Sequence, residues 1–318
     1  MQFNDQALTQ ETLFALYQSQ GYNDTRIALE SALEKINSKI LKIGDTPTRK
    51  QLLETKQLIQ DEISASYGGL FEQMKEESLQ SAMAVNAPYL LEFTSAALPT
   101  ATIDYLTNSK REILGYEFKD LFKLTEDNHI RQLKVTLASG VSQGMPTSQL
   151  IKELGIKNEA LTKHQLFSAV QTTIKDAREI STYATYAKLE EMGVAIGYQS
   201  IATMDSRTSE ICRNLDNKKY FMKIQDVPNK PPRHFACRAK LSVITSNDYK
   251  SGKRASIDGE IPNMSYGEWF KTKDDDFQLK TLGRTKYDAY KKGLYQVNDV
   301  SYLKPKNSLS LEEIQKSL

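Results

Sequence analysis

The side chains best suited to chemistry gather in one short stretch, "NKPPRHFACRAKL", residues 229–241. It holds His234, one of three histidines in the chain, and Cys237, one of two cysteines. His234-x-x-Cys237 puts a nitrogen and a sulfur donor on one tight turn, and Cys212 lies 22 residues before the histidine. Zinc is usually held by four nitrogen, sulfur or oxygen ligands. These three residues are one short, and Asp205, Asp216 or a water would complete the set. Two other readings fit the same spacing: buried free thiols beside a hydrogen-bonded histidine, and a single Cys212–Cys237 disulfide. Two cysteines exclude a disulfide framework.

The charge around this stretch is uneven. Residues 205–254 carry twelve Lys or Arg against five Asp or Glu, a net +7, so the rest of a chain of net charge +2 stands at −5. Such a segment suits phosphate, and it equally suits a solvated, loop-rich surface. Asp205-x-Arg207, at the end of an expected strand, reads first as an ion pair that anchors the neighbouring loop. A catalytic acid with an arginine phosphate clamp is the rarer use of such a pair. Pro231 and Pro232 are expected to hold the approach to His234 extended.

The elements that must position these residues are mostly helical. Residues 25–42 place Ile27, Leu29, Leu33, Ile36, Ile40 and Leu41 near helical spacing. Gly44 reads as a stop, with Thr46 and Pro47 as cap and first residue of the next helix. From about 48 to 86, Leu52, Ile59, Ile63, Leu70 and Met74 form one stripe on a single long helix, weakened at Gly68-Gly69, that predicts an antiparallel hairpin with the preceding helix. Shorter helices follow Pro88 and Pro99. A helix then leads to a Gly-Met-Pro break and to a short helix that begins near Thr147 or Ser148 and stops at Gly155. A long helix over 162–192 carries Phe167, Val170, Ile174 and Ala177 along one face and ends at Gly193. Strands are expected at 197–204 and 239–245, with a polar linker at 246–264. Ser265 with Glu268, and Ser310 with Glu313, have capping-box spacing for helices in the tail.

At 318 residues the chain is long enough for two or three domains. No stretch approaches the roughly 18–20 apolar residues of a membrane span. The start "MQFNDQALTQET" lacks the basic and apolar regions of a signal peptide, which predicts a protein made and kept in a cytoplasm. Several enzyme patterns are missing. There is no His-Glu-x-x-His, no His-x-Glu with Pro-Cys-x-x-Cys, and no Walker-type phosphate loop. His129 and His164 lie in helical surroundings. A hydrolase in which cysteine and histidine supply a nucleophile, or in which an open metal activates water for nuclease or peptidase chemistry, is the competing reading.

"ATMDSRTSEICRNLDNKKY" and "VPNKPPRHFACRAKLSVI" together resemble the phage Mu protein F-like family of minor head, or head-morphogenesis, proteins. The family pattern is met by Asp205, Arg207, Thr208, Cys212, Arg213, Pro231, Pro232, His234, Cys237 and Arg238. "LASGVSQGMPTSQLIKELG", the helix ending in "LEEMG" and the segment from "MSYGEWF" to "AYKKG" extend the likeness over residues 125–300, while the first 120 match only in being helical. Many members continue Cys-Arg-Cys where this chain has Cys237-Arg238-Ala239; if that cysteine is a metal ligand in relatives, this site has lost or replaced it, which favours a buried core or an open site over a closed structural zinc.

The pattern of elements predicts a mainly helical α+β protein: a helical N-terminal region (1–124), a Mu F-like, β-containing Cys/His module (125–250) and a linker with a helical tail (251–318). The resemblance implies a minor capsid protein in the phage head interior, bound to the portal protein, with the scaffold or major capsid protein as further partners. Double-stranded DNA would be contacted without sequence specificity during assembly, packaging or ejection. The candidate contacts are Arg213, Lys218, Lys219, Lys223, Lys230, Arg233, Arg238 and Lys240. From their spacing, zinc on Cys212, His234 and Cys237 with Asp205 stays the leading reading beside a buried thiol core, and no catalytic residue is expected.

Overall fold

The computed structural model describes residues 3–93, 100–245 and 253–297, with side chains described at 21–84, 100–245 and 253–297. The chain is of the α+β class and mainly helical, with small antiparallel sheets. It divides into two compact units, residues 1–182 and 183–318.

In the first unit, helices α1 (Phe3–Ile43), α2 (Arg49–Tyr67) and α3 (Leu70–Phe93) share one core. Ile59, Ile63, Leu70 and Met74 are buried against Leu29, Ile36 and Ile40. The pairs Lys35–Glu62 (2.8 Å) and Lys39–Glu54 (3.0 Å) run in opposite numerical order, as in an antiparallel hairpin. Ile27 and Leu41, expected on the stripe, are 55% and 63% exposed. Each sits 100° or more around the helix from its buried neighbour, outside the face that meets the core.

The expected single helix over 48–86 is two helices, broken at Gly68-Gly69 with the stripe continuing in phase. The cap of α2 is Thr48, not Thr46. The Thr48 Oγ1 accepts from the Gln51 N–H (3.3 Å), and Gln51 Oε1 accepts from the Thr48 N–H (2.8 Å). Thr46 has Arg49 three residues on, which cannot return such a bond.

α4 (Thr100–Thr107) leads to a small hairpin that the sequence reading missed, β1 (Glu112–Ile113) and β2 (Tyr116–Glu117). Its strands are too short to show alternation, and only Leu114 (φ 54°) and Gly115 (φ 82°) mark its turn. α5 (Phe118–Ser142) and α6 (Thr147–Leu161) follow. Gly155 does not stop α6, because Leu150, Leu154 and Leu161 bury one face along its length. A π turn at Thr162–Leu166 continues into α7 (Phe167–Glu191), in which Val170, Ile174 and Ala177 are buried and after which Gly193 adopts φ 70°. His129 is buried in this unit between the Tyr67 hydroxyl (3.1 Å) and Asn158 Oδ1 (2.9 Å), and His164 is exposed.

The second unit is built on the sheet β4-β3-β5, with β3 (Gly197–Ile201) central between β4 (Lys219–Tyr220) and β5 (Lys240–Ile244). α8 (Glu210–Leu215) lies between β3 and β4. The expected linker is not all linker. It holds the hairpin of β6 (Lys253–Ser256) and β7 (Gly259–Pro262), polar strands with no alternating pattern to betray them. Residues 246–252 lie outside the described residues. α9 (Tyr266–Lys271) has the expected capping box, with Ser265 Oγ accepting from the Glu268 N–H (3.3 Å). α10 (Asp275–Leu282) and α11 (Arg284–Lys291) close an aromatic cluster around Tyr266, Trp269 and Phe270. The helix expected at Ser310–Glu313 lies outside the described residues. No helix among the described residues is long and apolar enough to cross a membrane.

Candidate metal centre and its basic surround

Cys212 is supplied by α8, and His234 and Cys237 by the loop that leads into β5. That loop closes on itself: the Cys237 N–H donates to the His234 carbonyl (3.1 Å), with Ala236 at φ 55°. Cys212 and Cys237 are both buried, in an apolar patch with Ala202 and Ala239. Ala239 adds a methyl group to this patch, two residues after Cys237.

The ligand atoms of Cys212, His234 and Cys237 all lie within 4.8 Å of one another. Cys212 Sγ is 3.3 Å from His234 Nε2 and 3.7 Å from Cys237 Sγ. His234 Nδ1 donates to the Phe235 carbonyl (2.8 Å). A carbonyl only accepts, so the proton sits on Nδ1 and the lone pair of Nε2 faces the sulfurs, the arrangement that orients metal-binding histidines. Ser209 Oγ lies 2.6 Å from Nε2. Ser209 is the N-cap residue of α8, yet its side chain makes no cap bond and serves the histidine instead.

The thiols are polarised against each other. A hydrogen bond from Cys212, aided by His234, draws the Cys237 thiol well below its ordinary range. The same hydrogen bond to Cys237, together with burial, pushes the Cys212 thiol up. His234 is raised by its hydrogen bond with Cys237. One sulfur is thus biased towards thiolate, the form that binds metals.

These residues fit zinc. Zn–S and Zn–N bonds of about 2.3 and 2.05 Å at tetrahedral angles place two sulfurs about 3.8 Å apart and a sulfur and a nitrogen about 3.6 Å apart. The separations here, 3.7 and 3.3 Å, are close to both. A disulfide needs about 2.05 Å, and both cysteines are free.

Asp205 and Asp216 stand apart from this donor group. Asp205 accepts both terminal nitrogens of Arg238 (2.5 and 2.8 Å), the Thr208 hydroxyl (3.1 Å) and the Arg207 N–H (3.0 Å). Burial pushes its carboxyl up, but Arg238 and these hydrogen bonds outweigh burial and hold it below the usual range. The loop anchor is therefore Asp205 with Arg238. The Arg207 side chain is 81% exposed, reaches Asp205 only at 3.8 Å, and contributes chiefly its backbone.

Asp216 is the hub of the second unit. It accepts from Arg254 through both carboxylate oxygens (2.9 Å each) and from the N–H groups of Ala202 and Tyr266 (2.7 Å each). It thereby ties α8, the end of β3, β6 and α9 together. The Pro231–Pro232 peptide bond is cis. The Tyr183 hydroxyl donates to the Pro231 carbonyl (3.0 Å).

The basic candidates fall into two groups. Lys218, Lys219, Lys223 and Lys240 are exposed. Arg213 is buried over the Tyr266 ring (5.8 Å to its centroid). Arg233 bonds Ser200 Oγ and the Asn229 carbonyl (2.8 Å each) and lies 3.8 Å from Cys212 Sγ. Lys230 donates to the carbonyls of Ile224 (3.1 Å) and Gln225 (2.8 Å). The roles of Ser209, Arg233, Asp216 and Arg254 were not read from the sequence. Ser209 and Arg233 flank the Cys/His residues, which was the one available signal.

Residues 131–242 match the profile of the family described as phage Mu protein F like protein. No curated protein and no solved structure matches the chain. The matched segment runs from α5 to β5 and contains the whole Cys212–His234–Cys237 group. The segment that carries this centre thus matches the phage Mu protein F-like family.

Proposed function

We propose that this chain is a non-catalytic minor head protein that binds the portal and touches packaged DNA without reading its sequence. The family match over residues 131–242 carries the reading. Lys218, Lys219, Lys223 and Lys240 are the exposed cations suited to phosphate, with Arg238 beside them in sequence though already engaged by Asp205. Arg213, Arg233 and Lys230 hold the fold together and are not offered as DNA contacts.

Cys212, His234 and Cys237 would hold a zinc ion, with Ser209 or a water at the fourth position. Bound zinc would act as a cross-link between α8 and the loop before β5. Both cysteines are almost fully buried, at 2% and 4% exposure, which supports a structural clamp over a nucleophile or an open hydrolytic metal. The hydrolase reading would regain ground if purified protein cut DNA or peptide and His234→Ala abolished the cutting.

The direct experiment is co-expression with the portal protein of the same phage genome, followed by size-exclusion chromatography. Co-elution at fixed stoichiometry is expected. Separate elution of two folded proteins would remove the portal from the account and leave the likeness as one of fold.

A further inference from the structure

Between β4 and the next turn the chain presents two large apolar side chains to solvent. Phe221 is 66% exposed and Met222 is 44% exposed. Isolated exposed apolar residues need no explanation, but this pair has a built support. A Cβ at Gly197 would lie 2.7 Å from the Tyr220 carbonyl oxygen and 2.9 Å from Cδ1 of the Phe221 ring. Glycine in the interior of a strand weakens it. At this position glycine lets β4 and the Phe221 ring lie close against β3, so the ring is seated while most of it stays in water.

Exposed Lys218, Lys219 and Lys223 flank the pair, and residues 218–223 contain no carboxylate. We infer that the Phe221–Met222 knuckle is a docking point for a protein partner that offers an apolar pocket with an acidic rim. Aromatic residues and methionine are enriched in the buried centres of protein interfaces, and charged residues serve their rims.

The occupant is not a second copy of this chain, since a two-fold contact would set the three lysines against their own images. Duplex DNA would use the lysines but not the apolar pair, since its backbone gains nothing from a neighbouring phenylalanine and methionine. The inference rests on the proposed portal association and adds the surface that makes it.

The test compares wild type, Phe221→Ser/Met222→Ser, and Lys218→Gln/Lys219→Gln/Lys223→Gln for affinity to the purified portal protein and to a random-sequence DNA duplex. The serine variant is expected to melt like wild type, because both side chains are exposed, to bind the portal at least tenfold more weakly and to keep its DNA affinity. The glutamine variant is expected to weaken on both. Equal portal binding by wild type and the serine variant overturns the knuckle and leaves the portal association standing. No portal binding by wild type overturns both. Loss of DNA affinity in the serine variant, with portal binding kept, would make the knuckle a nucleic-acid contact and overturn the inference.

Discussion

Two histidines in this chain show how neighbours decide a residue's work. His129 donates to Asn158 Oδ1 through Nε2 and accepts from the Tyr67 hydroxyl at Nδ1, so both ring nitrogens are used inside the fold. His234 spends Nδ1 on a backbone carbonyl and turns its other lone pair towards two sulfurs. Burial lowers the pKa of His129 to about 4 from an ordinary 6.5. The folded state therefore favours neutral His129, and its contribution is complete above pH 6.5 and lost as pH falls towards 4. The expected loss is about 3 kcal/mol over that window. Urea melts at pH 7 and pH 4.5 should show it for wild type and a flatter change for His129→Gln. Equal slopes would place the acid sensitivity elsewhere. A smaller effect is expected at Ala236, held at φ 55°, where an L-residue costs about 1–2 kcal/mol and glycine gives back part of that as chain entropy. Ala236→Gly should leave the melting temperature unchanged or raise it by up to about 1 kcal/mol equivalent, and a clear loss would show that the methyl group packs.

The links between elements were the least legible in the sequence. The Cys/His group was readable because its side chains are scarce and closely spaced. The helical hairpin was readable because Ile59, Ile63, Leu70 and Met74 keep one period across a break. Asp216 gave no such signal, since its partners Arg254 and Tyr266 are 38 and 50 residues away in sequence. The β6–β7 hairpin gave none either, having no buried alternating face. Asp216 nevertheless joins four elements through a carboxylate with no side-chain exposure. Asp216→Ala would strand the buried Arg254 guanidinium and two N–H groups, and a loss of about 3–5 kcal/mol is expected. Removing Glu260 from its exposed contact with Lys253 (3.2 Å) should cost under about 1 kcal/mol. Similar losses from the two substitutions, measured by denaturant melts, would contradict the hub. Gly197→Ala is the matching test of the sheet, since the added carbon meets backbone at 2.7 Å. It should cost about 1–3 kcal/mol and shift the Phe221 ring.

For the whole molecule, net charge is a poor guide and its placement a better one. Of the basic residues singled out in the sequence, Arg213, Arg233 and Lys230 turn inward or bond loop carbonyls, so the +7 of residues 205–254 overstates the surface offered to phosphate. Four exposed lysines remain, 218, 219, 223 and 240. If each meets one phosphate, replacing all four by Gln should flatten the dependence of log affinity on log salt by up to about 3.6. An unchanged slope would move the DNA contact to another surface. The account turns most directly on the proposed zinc clamp at Cys212, His234 and Cys237, and native mass spectrometry of protein purified without chelators tests it. One zinc per chain is expected, lost in His234→Ala and on chelation, with a lower melting temperature in both cases. A metal-free wild-type chain whose melting is unaffected by added zinc or by chelator would contradict the clamp and leave Cys212, His234 and Cys237 as buried core.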